Sequence, residues 1–313
     1  MRLVLLGLAA LLAAGCTGPR LDPPELVGVF GESGSAPGQF LQPMGVAIAP
    51  DGTVLVADTG NHRIQAFDAR GAPLWSFGRQ GEGPGEFRRP MDVDVDATGQ
   101  IYVADFGGDR VQVFRPPGEL VRTLESDATP AGALDGAAGV LAAPGGDVYV
   151  ADFYGHRVLR FGTDGASVSQ IGVPGRFFAG RLHYPTDLAW LEGRLVVGDA
   201  YNHRLQLFSP EGDALARWGG VLGFGLRGSF RGWFRVATGV ATDRSRRVYA
   251  ADFQNHRIQV FDGDGRLLAI FGSQGTGPGE LERPTDLDVG PDGRIYVVDF
   301  GNDRIQVFAP LAF

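Results

Sequence analysis

The segment Val54–Phe67, with the sequence VLVADTGNHRIQAF, recurs six times in this chain of 313 residues. The other copies are IYVADFGGDRVQVF (101–114), VYVADFYGHRVLRF (148–161), LVVGDAYNHRLQLF (195–208), VYAADFQNHRIQVF (248–261) and IYVVDFGNDRIQVF (295–308). Their shared aspartates are 47 residues apart, except for the step of 53 residues from Asp199 to Asp252. A β-rich motif repeated at this spacing predicts the blades of a propeller.

Each unit predicts four antiparallel strands. In the first unit, residues 44–49 and 53–57 flank Pro50-Asp51-Gly52, a turn in which Pro presets φ and Gly permits a positive φ. Residues 63–67 and 72–77 supply the third and fourth strands, and a glycine-rich crossover follows.

The two ends of the chain predict how the ring closes. The sixth unit stops after its third strand, at Phe308, which would leave an unpaired sheet edge. Leu26–Phe30 has the pattern of the missing fourth strand. We therefore predict an all-β, six-bladed β-propeller of four-stranded antiparallel blades over residues 26–313, with its last blade closed by the N-terminal strand.

The first residues predict export. An apolar run, Leu3–Ala14, follows Arg2 and is too short to span a bilayer. The ending Leu-Ala-Ala-Gly-Cys resembles a bacterial lipobox, which implies a lipoprotein signal peptide at 1–15, lipidation of Cys16 and a lipidated tether at 16–25. Thr17, the residue after the cysteine, resembles that of lipoproteins sorted to the outer membrane. We therefore expect a lipid-anchored protein of the bacterial cell envelope, on the outer membrane and facing the periplasm. An ordinary cleaved signal peptide with an incidental cysteine is the alternative.

The charge argues against nucleic acid as a partner. The net charge is −8, and the chain has no run of basic residues to pair with phosphates. We expect a monomeric propeller attached to the membrane only through its lipid.

The turns resemble the NHL repeat, most closely at Asn61-His62-Arg63-Ile64 and Asn255-His256-Arg257-Ile258. The resemblance covers residues 26–308 and implies the fold, whereas one fold hosts many activities. A peptide-amidating lyase with this repeat places zinc histidines at the start of several innermost strands. The corresponding residues here are Met44, Met91, Ala138, Thr186, Thr238 and Thr285, so that activity is not supported.

Residues present in every repeat are interpreted as structural, because an active site is built only once. We expect an Asp–Arg pair across each turn, with the Asp accepting turn N–H groups. The pairs are Asp58/Arg63, Asp105/Arg110, Asp152/Arg157, Asp199/Arg204, Asp252/Arg257 and Asp299/Arg304. The repeated His62, His156, His203 and His256 are expected to form turn hydrogen bonds rather than to share a metal ion.

Three features that do not recur in every repeat are candidate ligand-binding sites. Asp92, Asp187 and Asp286 alternate with glycines at the predicted channel mouth, where they could bind a hard cation such as calcium, or a cationic or sugar ligand. Acceptance of loop N–H groups is the alternative. His183 is the only histidine outside the repeat position. The long crossover 219–235 carries Arg227, Arg231, Trp233, Phe234 and Arg235, which could bind a partner or pack on the blades.

These features favour a non-enzymatic binding or scaffold module for an envelope protein, peptide or glycan, with no required cofactor and no catalytic residue. The alternative is a metal-dependent hydrolase or lactonase with its site at the channel mouth. A sensor module is a third class.

Overall fold

The computed structural model describes residues 21–124 and 132–312, so the predicted signal peptide and Cys16 lie outside the described residues. Within these two ranges the regular elements are β-strands and short 3-10 turns. No helix in the described part of the chain is long and apolar enough to cross a membrane.

Six four-stranded antiparallel sheets form the blades, which confirms the predicted fold class. From the innermost to the outermost strand, blade 1 contains Val46–Ile48, Val54–Asp58, Arg63–Phe67 and Pro73–Phe77, and blade 2 contains Pro90–Val95, Ile101–Asp105, Arg110–Arg115 and Glu119–Leu124. Blade 3 contains Ala137–Ala142, Val148–Asp152, Arg157–Phe161 and Ser167–Ile171, and blade 4 contains Pro185–Leu191, Arg194–Asp199, Arg204–Phe208 and Ala214–Trp218. Blade 5 contains Ala237–Thr242, Val248–Asp252, Arg257–Phe261 and Leu267–Phe271, and blade 6 contains Leu287–Val289, Ile295–Asp299, Arg304–Phe308 and Leu26–Phe30.

The ring closes as the ends of the sequence predict. Leu26–Phe30 pairs antiparallel with Arg304–Phe308, with Phe30 opposite Ile305. The innermost strands of neighbouring blades contact one another around the ring, including those of blades 6 and 1. These strands line a central channel. The innermost strand of blade 1 is shorter than the predicted 44–49, although the Met44 N–H still donates to the carbonyl of Ala57 at 3.0 Å.

The core lies between blades. The repeated phenylalanine of the third strand is buried in every blade, at Phe67, Phe114, Phe161, Phe208, Phe261 and Phe308. Phe114 of blade 2 packs on Phe77 of blade 1, with ring centroids 4.7 Å apart. Burying one such side chain is worth roughly 1.5–3 kcal/mol, so the repeat stabilises every blade boundary in the same way.

The loop face is the side of the disc formed by the crossovers between blades and the turns between second and third strands. Short 3-10 turns occur there at Thr59–Asn61, Phe106–Gly108, Ala200–Asn202, Val221–Gly223, Phe253–Asn255 and Phe300–Asn302. The crossover into blade 4 forms a small parallel ladder, Val173–Pro174 with Arg181–Leu182.

Candidate functional site

The repeated Asp–Arg pairs hold the crossovers in place. Arg63 Nε donates to Asp58 Oδ2 at 2.7 Å, and Asp58 Oδ1 accepts the N–H of Leu41 in the crossover at 2.8 Å. The same guanidinium donates to the carbonyls of Ala36 and Gln39. The backbone N–H that this carboxylate accepts therefore comes from the crossover rather than from its own turn. Its other partners are the side chains of Asn61, Arg63 and Gln65. The other pairs have Nε–Oδ2 distances of 3.4 Å (Arg110–Asp105), 2.7 Å (Arg157–Asp152), 2.7 Å (Arg204–Asp199), 2.8 Å (Arg257–Asp252) and 2.7 Å (Arg304–Asp299).

A repeated glutamine, which the sequence analysis missed, completes this network. Gln65 accepts the Gly38 N–H at 3.1 Å and donates to the Gln39 carbonyl at 2.7 Å. Gln112, Gln206, Gln259 and Gln306 make the corresponding bonds in blades 2, 4, 5 and 6. The signal was available two residues after each repeated arginine, where only blade 3 differs, with Leu159.

The repeated histidines join neighbouring blades. His156 Nδ1 accepts the N–H of Tyr184 from blade 4 at 3.0 Å. The corresponding bonds are Val236 N–H to His203 Nδ1, Arg283 N–H to His256 Nδ1, and His62 Nδ1 to the Arg88 carbonyl, and Asp109 and Asp303 replace the histidine in blades 2 and 6. Burial and the charge of Arg227 lower the pKa of His203 to about 4, so this imidazole is neutral at pH 7.

His183 lies in an aromatic cluster beside the channel mouth. Its ring is 4.6 Å from that of Tyr184 and 6.1 Å from that of Tyr201. Its Nδ1 is buried and has no hydrogen-bond partner within the described residues. Burial and the charge of Arg176 lower its pKa. Tyr154 and Tyr201 expose about half of their surfaces at the edge of this cluster. Such tyrosines occur only in the turns of blades 3 and 4, so this cluster is not part of the sixfold scaffold.

A cavity of about 190 Å³ opens at the channel mouth on the loop face. Its wall includes Met44, Met91, Phe153, Tyr201 and Phe253. Its floor is formed by the three predicted aspartates, Asp92, Asp187 and Asp286. These aspartates also line a cavity of about 210 Å³ on the opposite side of the channel. The structure thus brings the three carboxylates together as a ring across the channel, while His183 lies outside the cavity.

Each carboxylate of this ring bonds two backbone N–H groups. Asp92 Oδ2 accepts the N–H of Val140 in blade 3 at 2.8 Å, and its Oδ1 accepts that of Val93 at 2.8 Å. Asp187 accepts from Val240 and Leu188, and Asp286 accepts from Val46 and Leu287. The donors belong to the innermost strands rather than to the crossovers. The aspartates of blades 2, 4 and 6 therefore tie each of these blades to the next one.

The glycines that alternate with these aspartates make room for them. A Cβ on Gly45 would lie 2.7 Å from the Asp92 Cα, and a Cβ on Gly239 would lie 2.5 Å from the Asp286 Cα. A Cβ on Gly139 would lie 2.5 Å from the carbonyl oxygen of Thr186. The alternation of Asp and Gly follows from packing at the channel axis.

Burial raises the pKa of every carboxyl group in the channel. The pKa of Asp187 rises to about 7, and those of Asp92 and Asp286 rise well above the usual range because burial is joined by the charge of Asp187. A second layer, Asp94 and Asp288, has pKa values of about 6 and about 7 for the same reason. The sequence analysis missed this layer, although residues i and i+2 of a strand face the same side.

Within residues 21–124 and 132–312, no group of three or more His, Cys, Asp or Glu side chains is arranged to hold a metal ion. Calcium binding by the aspartate ring stays a prediction.

The predicted binding residues of the long crossover differ in their exposure to solvent. Arg227 and Arg231 are exposed, and the Arg227 guanidinium donates to Gln254 Oε1 at 2.9 Å. Trp233 and Arg235 are half-buried. The prediction that Phe234 binds a ligand is wrong, because its side chain is fully buried and packs on Phe261, with centroids 5.9 Å apart.

Five of the six blades match the model of the NHL repeat, at residues 40–67, 87–114, 134–161, 234–261 and 281–308. These five blades are NHL repeats. Over 42 residues, 13% of its length, the NHL propeller is 57% identical to the B-box type zinc finger protein ncl-1 of Caenorhabditis elegans and 55% identical to Protein brain tumor of Drosophila melanogaster. The matches span 5% and 4% of those proteins, so they relate a repeat and not whole proteins.

Solved structures share the whole fold at low identity. A gluconolactonase of Xanthomonas campestris is 14% identical, with a TM-score of 0.66, over 95% of this chain and 99% of that one. A streptogramin B lyase is 14% identical, with a TM-score of 0.64, over 91% and 97%. A protein of unknown function from Bacteroides thetaiotaomicron is 14% identical, with a TM-score of 0.70, over 92% and 76%. At this identity the likeness shows the fold alone.

Proposed function

We propose that this NHL propeller is a non-enzymatic binding or scaffold module that holds a protein, peptide or glycan on its loop face. The observation that carries the proposal is where the side chains that do not recur in every blade are located. The aromatic cluster around His183, the cavity and the exposed residues of the long crossover all lie on this one face. The sixfold residues account for the scaffold beneath them.

The loop face is rigid enough to serve as a binding surface. The repeated Asp of the second strand and the repeated Arg and Gln of the third strand bond the carbonyls and N–H groups of the crossovers, as Asp58, Arg63 and Gln65 do in blade 1. A surface that is ordered before binding loses less conformational entropy when a ligand docks.

The channel mouth is better suited to binding an apolar group of a ligand than to catalysing a reaction. The carboxylates of the floor already accept backbone N–H groups, and the Thr186 hydroxyl donates to the carbonyl of Thr238 at 2.8 Å. The wall includes two methionines, three aromatic side chains, Ala138 and Val236, together with three threonines and Gln254. A ligand entering this cavity therefore gains most of its affinity from apolar contact.

The start of the described chain supports attachment on the opposite face. Leu21 N–H donates to the carbonyl of Leu268, near the start of the outermost strand of blade 5, and that strand runs from the opposite face toward the loop face. Five residues span at most about 18 Å, so a lipid on Cys16 would hold the opposite face near the membrane. The loop face would then point into the periplasm, which is the location we propose.

The experiment that tests this proposal is capture from an envelope extract with the full chain as bait. We expect a bound protein, peptide or glycan that is reduced at least tenfold by Tyr201→Ala/Arg231→Ala. The matched control is Leu74→Ala/Arg70→Ala, which removes an exposed leucine from an outermost strand and an exposed arginine from a turn of the opposite face. Equal retention by both variants would contradict the proposal.

The second candidate is a metal-dependent hydrolase or lactonase, favoured by the three carboxylates that converge on the cavity floor. Calorimetry with calcium on the wild type and on Asp92→Asn/Asp286→Asn tests it. A stoichiometric heat that the variant lacks would favour the enzyme, and identical heats would end the calcium prediction.

A further inference from the structure

Two crossovers present a phenylalanine where the repeat normally has a small residue. In blades 1, 2, 4, 5 and 6, the third-strand arginine donates to the carbonyl of the residue four positions before the buried side chain of the crossover. In blades 1, 2 and 6 this residue is Ala36, Gly83 or Gly277, with N–O distances of 3.0, 3.1 and 2.8 Å. In blades 4 and 5 it is Phe178 or Phe230, held at 3.0 and 2.9 Å by Arg204 and Arg257.

The rings of these two residues are presented to solvent on a fixed backbone. Phe178 and Phe230 are each 72% exposed, among the most exposed large apolar side chains of the described residues. Exposed aromatic side chains on an ordered surface are typical anchors of protein interfaces. Two such anchors on neighbouring crossovers favour one continuous partner.

Arg217 joins the two crossovers. Its Nη1 donates to the carbonyl of Phe177 at 2.5 Å, and its guanidinium carbon lies 5.0 Å from the ring centre of Phe224 in the long crossover. We call the surface formed by residues 176–181 and 224–231, with Arg217, the Phe178–Phe230 surface.

This surface is positively charged on an acidic protein. The crossovers into blades 4 and 5 contain Arg176, Arg181, Arg227, Arg231 and Arg235 and no Asp or Glu. The crossovers into blades 1, 2 and 6, in contrast, contain five glutamates, Glu32, Glu82, Glu86, Glu280 and Glu282, beside four arginines, Arg79, Arg88, Arg89 and Arg283. In the described part of the chain, the ion pairs of the loop face involve other arginines, such as Arg63 and Arg79. The positive charge is therefore left for a partner.

We propose that the Phe178–Phe230 surface binds an acidic protein segment that carries apolar side chains. The inference rests on the proposed binding function and names the chemistry of its partner. The phenylalanines bury the apolar side chains, and the arginines pair with carboxylates in the bidentate geometry that guanidinium groups favour. A bilayer is the less suitable occupant, because the proposed lipid on Cys16 would hold the opposite face, where Leu21 bonds Leu268, toward the membrane.

The test measures binding of the full chain to a random copolymer of glutamate and tyrosine, by fluorescence anisotropy. Polyglutamate, phosphatidylglycerol vesicles and a single-stranded oligonucleotide are compared at equal charge concentration. We expect the copolymer to bind most tightly, with an affinity that falls as salt rises. Phe178→Ala/Phe230→Ala and Arg227→Glu/Arg231→Glu should each weaken binding at least tenfold. The control, Leu74→Ala/Arg70→Glu, should leave it unchanged.

Failure of the copolymer to bind, or equal binding by wild type and both variants, would overturn the inference. Tighter binding of vesicles or oligonucleotide would overturn it in favour of a membrane or a nucleic acid. The envelope-capture experiment distinguishes failure of this inference from failure of the proposed binding function. If Phe178→Ala/Phe230→Ala still captures the wild-type ligand, the proposed function stands and this surface is not where the ligand docks.

Discussion

The crossover into blade 2 and the crossover into blade 5 share one backbone scheme and differ in what they present. In both, an arginine of the third strand holds the crossover carbonyls and a buried phenylalanine, Phe87 or Phe234, fixes the end. At the position where the first crossover has Gly83, the second has the exposed Phe230. The repeat therefore specifies the backbone of the crossover and leaves a surface position free to vary.

The scaffold shared by these crossovers depends most on its buried ion pairs. Arg204 and Asp199 have no exposed side-chain surface. Arg204→Met should lower the free energy of unfolding by about 3–5 kcal/mol, because the carboxylate stays buried without its partner. Denaturant unfolding measures this loss. The control Arg266→Met, at a mostly exposed side chain, should change it by less than about 0.5 kcal/mol. A small loss for Arg204→Met would show that the crossovers do not need their arginine.

The carboxylates of the channel should make stability fall as pH rises. The folded pKa of Asp288 is about 7, above its ordinary value of 3.8, so its contribution is present below pH 3.8 and is lost as pH rises through 7. The unfolding free energy of the wild type should therefore fall relative to that of Asp288→Asn between pH 4 and 8, by about 4 kcal/mol at most. Chemical denaturation at each pH measures it, with Asp264→Asn as the exposed control. A constant difference would contradict the raised pKa.

The alternation of Asp and Gly should be enforced by space alone. Gly139→Ala places a Cβ 2.5 Å from the Thr186 carbonyl oxygen and should cost about 1–3 kcal/mol. Gly145→Ala in the same blade has nothing within 4 Å and serves as the matched control. Thermal unfolding compares them. Equal melting temperatures would show that the innermost strands can move apart.

The exposed phenylalanines should contribute to binding and not to stability. Phe178→Ala and Phe230→Ala should each change the unfolding free energy by less than about 0.5 kcal/mol, because both rings are mostly exposed. A loss above about 1 kcal/mol would mean that these rings pack on the blades, and would weaken the comparison with Gly83.

The sequence predicted the structural features that recur in every blade better than those that occur in only some blades. The period, the closing strand and the Asp–Arg pairs could be identified because six copies reveal a common pattern. The position of Phe234 could not be predicted, because its equivalence to Phe87 depends on where the extra residues of the long crossover fold. The exposed phenylalanines Phe178 and Phe230 were missed for the same reason. Phe178 and Phe230 become equivalent only when the arginine contacts define the position. The donors that join the aspartate ring to neighbouring blades lie 48, 53 and 240 residues away in the sequence.

The closing strand gives the ring a mechanical weak point. Leu26–Phe30 is joined to its blade by one ladder, with Arg304–Phe308, and it is the first strand to carry any load that arrives along the N-terminal chain. A pull would open this ladder from Leu26 onward, one pair of hydrogen bonds after another. The released third strand of blade 6 would then be an unpaired edge able to join a strand of another molecule. For a disc held by its N-terminus, resistance to force depends on these four residue pairs and on the bond from Leu21 to Leu268 of blade 5 that precedes them in the chain.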